Sequence, residues 1–105
     1  MKSLFRIDEV IPARYSVIVI CGDLIDGGIH FNDHVEISLT DGRMWSTNII
    51  GIEHRHNSAK FIDASDTERT AGLALSIRGG EIRMRETAAL IPGGGIATIT
   101  RRPVK

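Results

Sequence analysis

Between Gly22 and Ile37 the chain reads GDLIDGGIHFNDHVEI, and these sixteen residues leave the fold little freedom. A strand ends, Gly27 and Gly28 turn it, residues 29–31 form a short strand, Asn32-Asp33 turns again, and an alternating strand begins. Glycine reaches the positive φ values of tight turns without steric cost. After the second turn, Val35, Ile37 and Leu39 fall on one face and His34, Glu36 and Ser38 on the other, the period of a half-buried strand.

The same signals recur on either side. Residues 5–11 predict a first strand, ended by Pro12. Residues 16–24 predict a second, and its unbroken apolar centre predicts burial on both faces. The run Thr40-Asp41-Gly42-Arg43 places Asp-Gly at a hairpin tip, pairing 34–39 with 44–53. In the returning strand Trp45, Thr47 and Ile49 share a face. Residues 54–66 are polar and irregular and read as a loop. Residues 71–78 form a strand with Leu73, Leu75 and Ile77 inward, turned by Gly79-Gly80. Residues 81–85 read as an irregular link, 87–91 as a further strand, and 96–101, after the PGGG run, as the last. No long segment carries a helical period. Short strands at this spacing predict an all-β chain forming a single small antiparallel β-barrel of six to eight strands.

At 105 residues the chain is expected to be one domain. Lys+Arg and Asp+Glu each number 13, so no field of one sign draws the whole surface to nucleic acid or anionic membrane. The tail from Arg101 to Lys105 is a local basic exception. Cys21 is the only cysteine, so no internal disulfide can form, and the Val17-Ile18-Val19-Ile20 run before it predicts a buried thiol. Arg6, Asp8 and Glu9 interrupt any signal-type apolar region, and no apolar run is long enough to span a bilayer. A cytoplasmic protein with no membrane partner is expected.

Five pieces occur in a set order: Ile7-Asp8-Glu9-Val10, the stretch from Gly22 to Ile37, Ile49-x-Gly51-Ile52-Glu53, Ala71-Gly72-Leu73-Ala74-Leu75, and residues 82–90. Together they resemble the second domain (domain II) of translational GTPases such as elongation factor Tu, over residues 5–90. Residues 91–105 add a Gly-rich turn, a final strand and the basic tail. The family's Gly in the closing stretch is Arg85 or Glu86 here, and its Leu-Arg-Gly is matched by Ile77-Arg78-Gly79 after a shift of two residues. The resemblance implies a barrel of the translation-factor second-domain type, in a translation-related setting. It also implies partner-binding roles for Asp8, Glu9 and Arg78, which match positions near the family's aminoacyl-tRNA end.

Catalytic chemistry is harder to find. No G-x-x-x-x-G-K-[S/T] phosphate loop occurs, and Gly93-Gly94-Gly95 lacks a following lysine and hydroxyl. Ser58, Ser65 and Ser76 sit in no nucleophile motif. His54 and His56 would face the same way on an extended strand. With His30, His34, Asp63, Asp66 and Glu68 they are the candidates for a metal-dependent enzyme. Trp45 and Tyr15 are candidate stacking platforms for RNA bases, needing Arg6, Arg14 and Arg43 beside them. The expected function is a non-enzymatic module, without cofactor, metal or nucleotide, that binds a protein or RNA partner. The alternatives are the metal enzyme and a structural subunit oligomerising through an exposed edge strand. Calorimetric titration with GTP or ATP should show no saturable binding at micromolar concentration, because the chain has no phosphate-cradling loop.

Overall fold

The computed structural model describes residues 2–14 and 16–101; Met1, Tyr15 and residues 102–105 of the basic tail lie outside the described residues. Among the described residues nine strands and one helix follow in order: β1 (Lys2–Arg14), β2 (Val17–Asp26), β3 (Ile29–His30), β4 (His34–Ser38), β5 (Met44–His54), β6 (Asn57–Ala59), β7 (Phe61–Ile62), β8 (Thr70–Ser76), α1 (Gly80–Leu90) and β9 (Ile96–Thr100). The antiparallel order β1-β2-β8-β5-β4-β9 returns from β9 to β1, so six strands close a barrel. Closure gives the barrel strands neighbours on both sides over much of their length. The short β3–β7 ribbon stands apart, and β6 folds back on the end of β5.

Alternate residues of every barrel strand fill the interior: Phe5 and Ile7, Ile18 and Ile20, Val35 and Ile37, Ile49 and Ile52, Leu73 and Leu75, Ala97 and Ile99. As the sequence predicts, Val35, Ile37 and Leu39 are buried, Glu36 and Ser38 are exposed, and His34 is half-buried. Asp41-Gly42 is the tip between β4 and β5. Asp33 accepts the His30 N–H (2.8 Å) and thereby closes the turn before β4. Gly27 has φ 77°, whereas Gly28 is needed for closeness, because a Cβ there would lie 2.7 Å from the Ile62 carbonyl oxygen.

Several expectations are corrected. Pro12 does not end β1, which runs on to Arg14. The β9 ladder leaves β1 at Arg6, and only Ile7 extends the pairing, through Gly94 and Gly95; the missing Pro12 N–H therefore falls where β1 has β2 alone beside it. The apolar centre of β2 is not buried on both faces: Ile18, Ile20 and Leu24 point inward while Val17, Val19 and Cys21 lie half-exposed on the outer wall. The 54–66 region contains β6 and β7. Residues 80–90 are a helix, neither link nor strand. Met84, Thr87, Ala88 and the following Ile91 are its buried side, spaced i, i+3, i+4, i+7, and α1 packs against β1 and β2.

One guanidinium ties down the longest irregular stretch. Arg69 donates to the carbonyls of Leu24 (3.1 Å), Gly27 (2.6 Å), Asp63 (3.1 Å) and Ala64 (3.1 Å), joining the 63–66 loop to the end of β2.

Opposite Gly22, β1 carries a bulge between Ile7 and Glu9, with Asp8 the extra residue. A Cβ at Gly22 would lie 1.8 Å from the Arg6 carbonyl oxygen, a backbone atom that cannot swing aside. Gly22→Ala should therefore lower stability by about 3 kcal/mol or more in urea unfolding. Gly42→Ala, in open space at φ 91°, should cost only about 1 kcal/mol.

Candidate functional site

The outer wall over β2, β8 and β5 is hollow because its registers align residues that have little or no side chain. One row across the strands reads Glu9–Cys21–Gly72–Glu53, and the next reads Val19–Ala74–Gly51. The result is a groove in two joined parts. One, of about 350 Å³, is lined by Val19, Gly51, Ile52, Glu53, Ser58, Gly72 and Ala74. The other, of about 390 Å³, adds Cys21, Arg55, His56, Glu68, Thr70 and Ala71. A Cβ built on Gly72 would meet nothing closer than the Cys21 sulfur at 3.7 Å, so the space is open.

The floor is apolar and the rim is charged. Glu9 and Glu53 stand on either side of Cys21 and are exposed. Partial burial, then the two carboxylates, push the Cys21 thiol above the ordinary cysteine range. The β5–β6 turn takes Arg55 and His56 through left-handed φ values of 55° and 65°. Arg55 pairs with Asp66 at 3.1 Å, and His54 Nε2 lies 2.8 Å from the Glu68 carbonyl oxygen.

Asp8 reaches this rim through a polar chain. Arg6 donates to Asp8 (2.9 Å) and to Asp23 (2.5 Å), and Asp23 accepts the Thr70 hydroxyl at 2.7 Å. The Arg6 hydrogen bond holds the Asp8 carboxyl below the usual carboxylate range. The bulge therefore brings Asp8 and Glu9 to the groove together. Arg78 is placed elsewhere. Glu9 is level with Gly72, and the four strand steps from Gly72 to Ser76 alone carry β8 about 13 Å towards Arg78. Arg78 lines a separate groove of about 560 Å³ with Trp45, Ser46, Thr47, Asn48, Ser76, Ile77, Gly79 and Arg83.

The four histidines do not assemble. His30 stacks on Phe61 (5.6 Å between ring centroids), His34 lies 3.8 Å from Glu36, and the turn after His54 removes the extended geometry that would align it with His56. Among the described residues, no group of three or more His, Cys, Asp or Glu is arranged to hold a metal ion. The contributors that sequence reasoning missed are Gly51, Gly72, Ala74 and Glu53. For Gly51 and Gly72 the signal was glycine inside otherwise aliphatic strands, which marks close approach of a backbone or ligand.

No family profile and no curated protein sequence matches the chain. Its structure is similar to that of translation elongation factor SelB from Methanococcus maripaludis in the apo form, with TM-score 0.71 and 19% identity. The match covers 93% of this chain and 19% of that one, so this chain spans about a fifth of the elongation factor's length. The closed six-stranded barrel is thus a translation-factor domain fold of the second-domain type.

With its thiol raised by partial burial and by Glu9 and Glu53, Cys21 should alkylate slowly at pH 7 and faster as pH rises. Glu53→Gln removes one of the opposing charges. It should shift the rate profile to lower pH, as measured by iodoacetamide uptake.

Proposed function

We propose that this domain is a non-enzymatic binding module, translation-related, that holds the end group of a protein or RNA partner in the β2–β8–β5 groove. The observation that carries this reading is the trench itself. Gly51, Gly72 and Ala74 expose backbone and an apolar floor, Glu53, Glu68, Arg55 and His56 line it with both signs of charge, and Glu9 stands beside it in register with Cys21. A flat or aliphatic group fits the floor, and hydrogen-bond donors on that group fit the carboxylates. A run of phosphates would meet three glutamates and is disfavoured. The barrel's likeness to a domain of SelB supports the translation setting by fold analogy. Asp8 and Glu9 belong to this contact surface, and Arg78 lies apart from it, beyond the end of β8. A cytoplasmic setting agrees with this reading; no helix among the described residues is long and apolar enough to cross a membrane.

A pull-down from native lysate, with and without nuclease, identifies the partner and its class. Gly72→Leu fills the trench at a site with no backbone strain and should abolish recovery. Glu9→Ala with Glu53→Ala should weaken it at least tenfold while leaving thermal stability nearly unchanged, as surface charges usually do. Added salt should weaken binding only modestly, unlike a site that neutralises many phosphates. Bound partner should also protect Cys21 from alkylation. Undiminished recovery by Gly72→Leu would remove the groove from the function.

A further inference from the structure

The outer wall repeats in rows across its strands, and two successive rows of the trench differ in kind. One reads Ile11–Val19–Ala74–Gly51 and the next Glu9–Cys21–Gly72–Glu53. The first is wholly apolar, and its Ile11 is 40% exposed. The second has a carboxylate at each end and a hollow between them, because Gly72 carries no side chain. Three strand spacings separate Glu9 from Glu53, about 14 Å between Cα atoms. The row beyond, Arg6–Asp23–Thr70, is satisfied within the chain: Arg6 donates to Asp23 at 2.5 Å and the Thr70 hydroxyl donates to it at 2.7 Å.

The charges of the second row have no such partners. Among the described residues, no ion pair or hydrogen bond engages the Glu9 or Glu53 carboxylate. Arg55 lines the same part of the trench, but Asp66 holds it at 3.1 Å. Glu68 adds a third carboxylate, which accepts the Thr70 N–H at 3.3 Å. Unpaired carboxylates beside an apolar floor favour a cation on an apolar stem, which is the make-up of a lysine or arginine side chain. Spacing supplies the second element. Rows two residues apart along the strands lie about 6.6 Å from each other, and so do side chains i and i+2 on one face of an extended peptide. An extended segment lying along the strands therefore sets one side chain on each row.

We infer that the trench docks an extended segment of a protein partner with the pattern aliphatic-x-basic. The aliphatic side chain lies on the Val19–Ala74–Gly51 row, and the lysine or arginine lies over Cys21 and Gly72 with its head between Glu9 and Glu53. This rests on the trench being the binding surface, and it commits the partner to protein. The stem covers the floor while the head makes charge-assisted hydrogen bonds to the carboxylates. An RNA end brings phosphate charge to the same carboxylates and no cation to pair with them.

The test uses the whole chain and the capped pentapeptide Ala-Leu-Ser-Arg-Ala. Amide shifts centred on Cys21, Gly72 and Glu53 should saturate below millimolar peptide, and bound peptide should protect Cys21 from iodoacetamide. Citrulline in place of the arginine keeps its shape, removes its charge and should weaken binding at least tenfold. Moving the arginine next to the leucine should weaken it likewise, because adjacent side chains face opposite ways. Glu9→Gln/Glu53→Gln should cost tenfold or more, and Gly72→Leu should abolish binding. The inference is overturned by no saturation at millimolar peptide, equal binding of the citrulline peptide, indifference to the double Gln substitution, or preference for oligoadenylate. If any of these occurs while Gly72→Leu still loses the lysate partner, only the aliphatic-x-basic ligand is removed and the trench reading stands. Retention of the lysate partner by Gly72→Leu removes the trench reading itself, and this inference with it.

Discussion

The crossing of β1 and β2 at Gly22 is the constraint on which the barrel wall depends. Here the strands press so close that a single methyl group would overlap the Arg6 carbonyl, and β1 answers with a bulge at Asp8. A bulge sharpens local twist, and closing only six strands into a barrel requires strongly twisted, bent strands. The same irregularity turns two consecutive acids, Asp8 and Glu9, outward together. A regular strand would send one of them into the core. Closure and the charged rim therefore share one physical cause.

A single arginine, bonded to backbone carbonyls, holds the longest loop. Arg69 gathers carbonyls from β2, the turn after it and the 63–66 loop, so segments about forty residues apart converge on one cation. Each guanidinium offers five donors in a rigid plane, more than a lysine could place. Asp33, almost wholly buried, works from the opposite sign: it accepts the His30 N–H and lies 3.4 Å from the Arg101 guanidinium, which joins the turn before β4 to the end of β9.

The two surfaces with functional character arise from different departures from an ideal barrel. The trench over β2, β8 and β5 comes from absent side chains on complete ladders, so its floor is smooth and its rim chooses the ligand. The groove where β5 and β8 diverge beyond Leu75 is instead walled by large side chains, Trp45, Arg78 and Arg83 among them. The first surface has net acidic character and the second is basic. The whole chain has zero formal charge, yet these two faces differ in sign.

The sequence by itself determined most of the strands, their inward faces and the Asp41–Gly42 hairpin, because period-two alternation and glycine turn chemistry are local properties. It also carried enough order and spacing to imply the translation-factor second-domain barrel. The helix was missed although Met84, Thr87, Ala88 and Ile91 have its spacing. Its other residues are charged or small, and the stripe becomes apolar burial only once β1 and β2 lie beneath it. The trench was illegible because it consists of missing side chains on three strands distant in sequence, aligned by register. Register also separated Arg78 from Asp8 and Glu9, since pairing carries β8 away from Gly72 before Arg78 is reached. Local chemistry chose the elements; pairing between distant strands decided which residues meet.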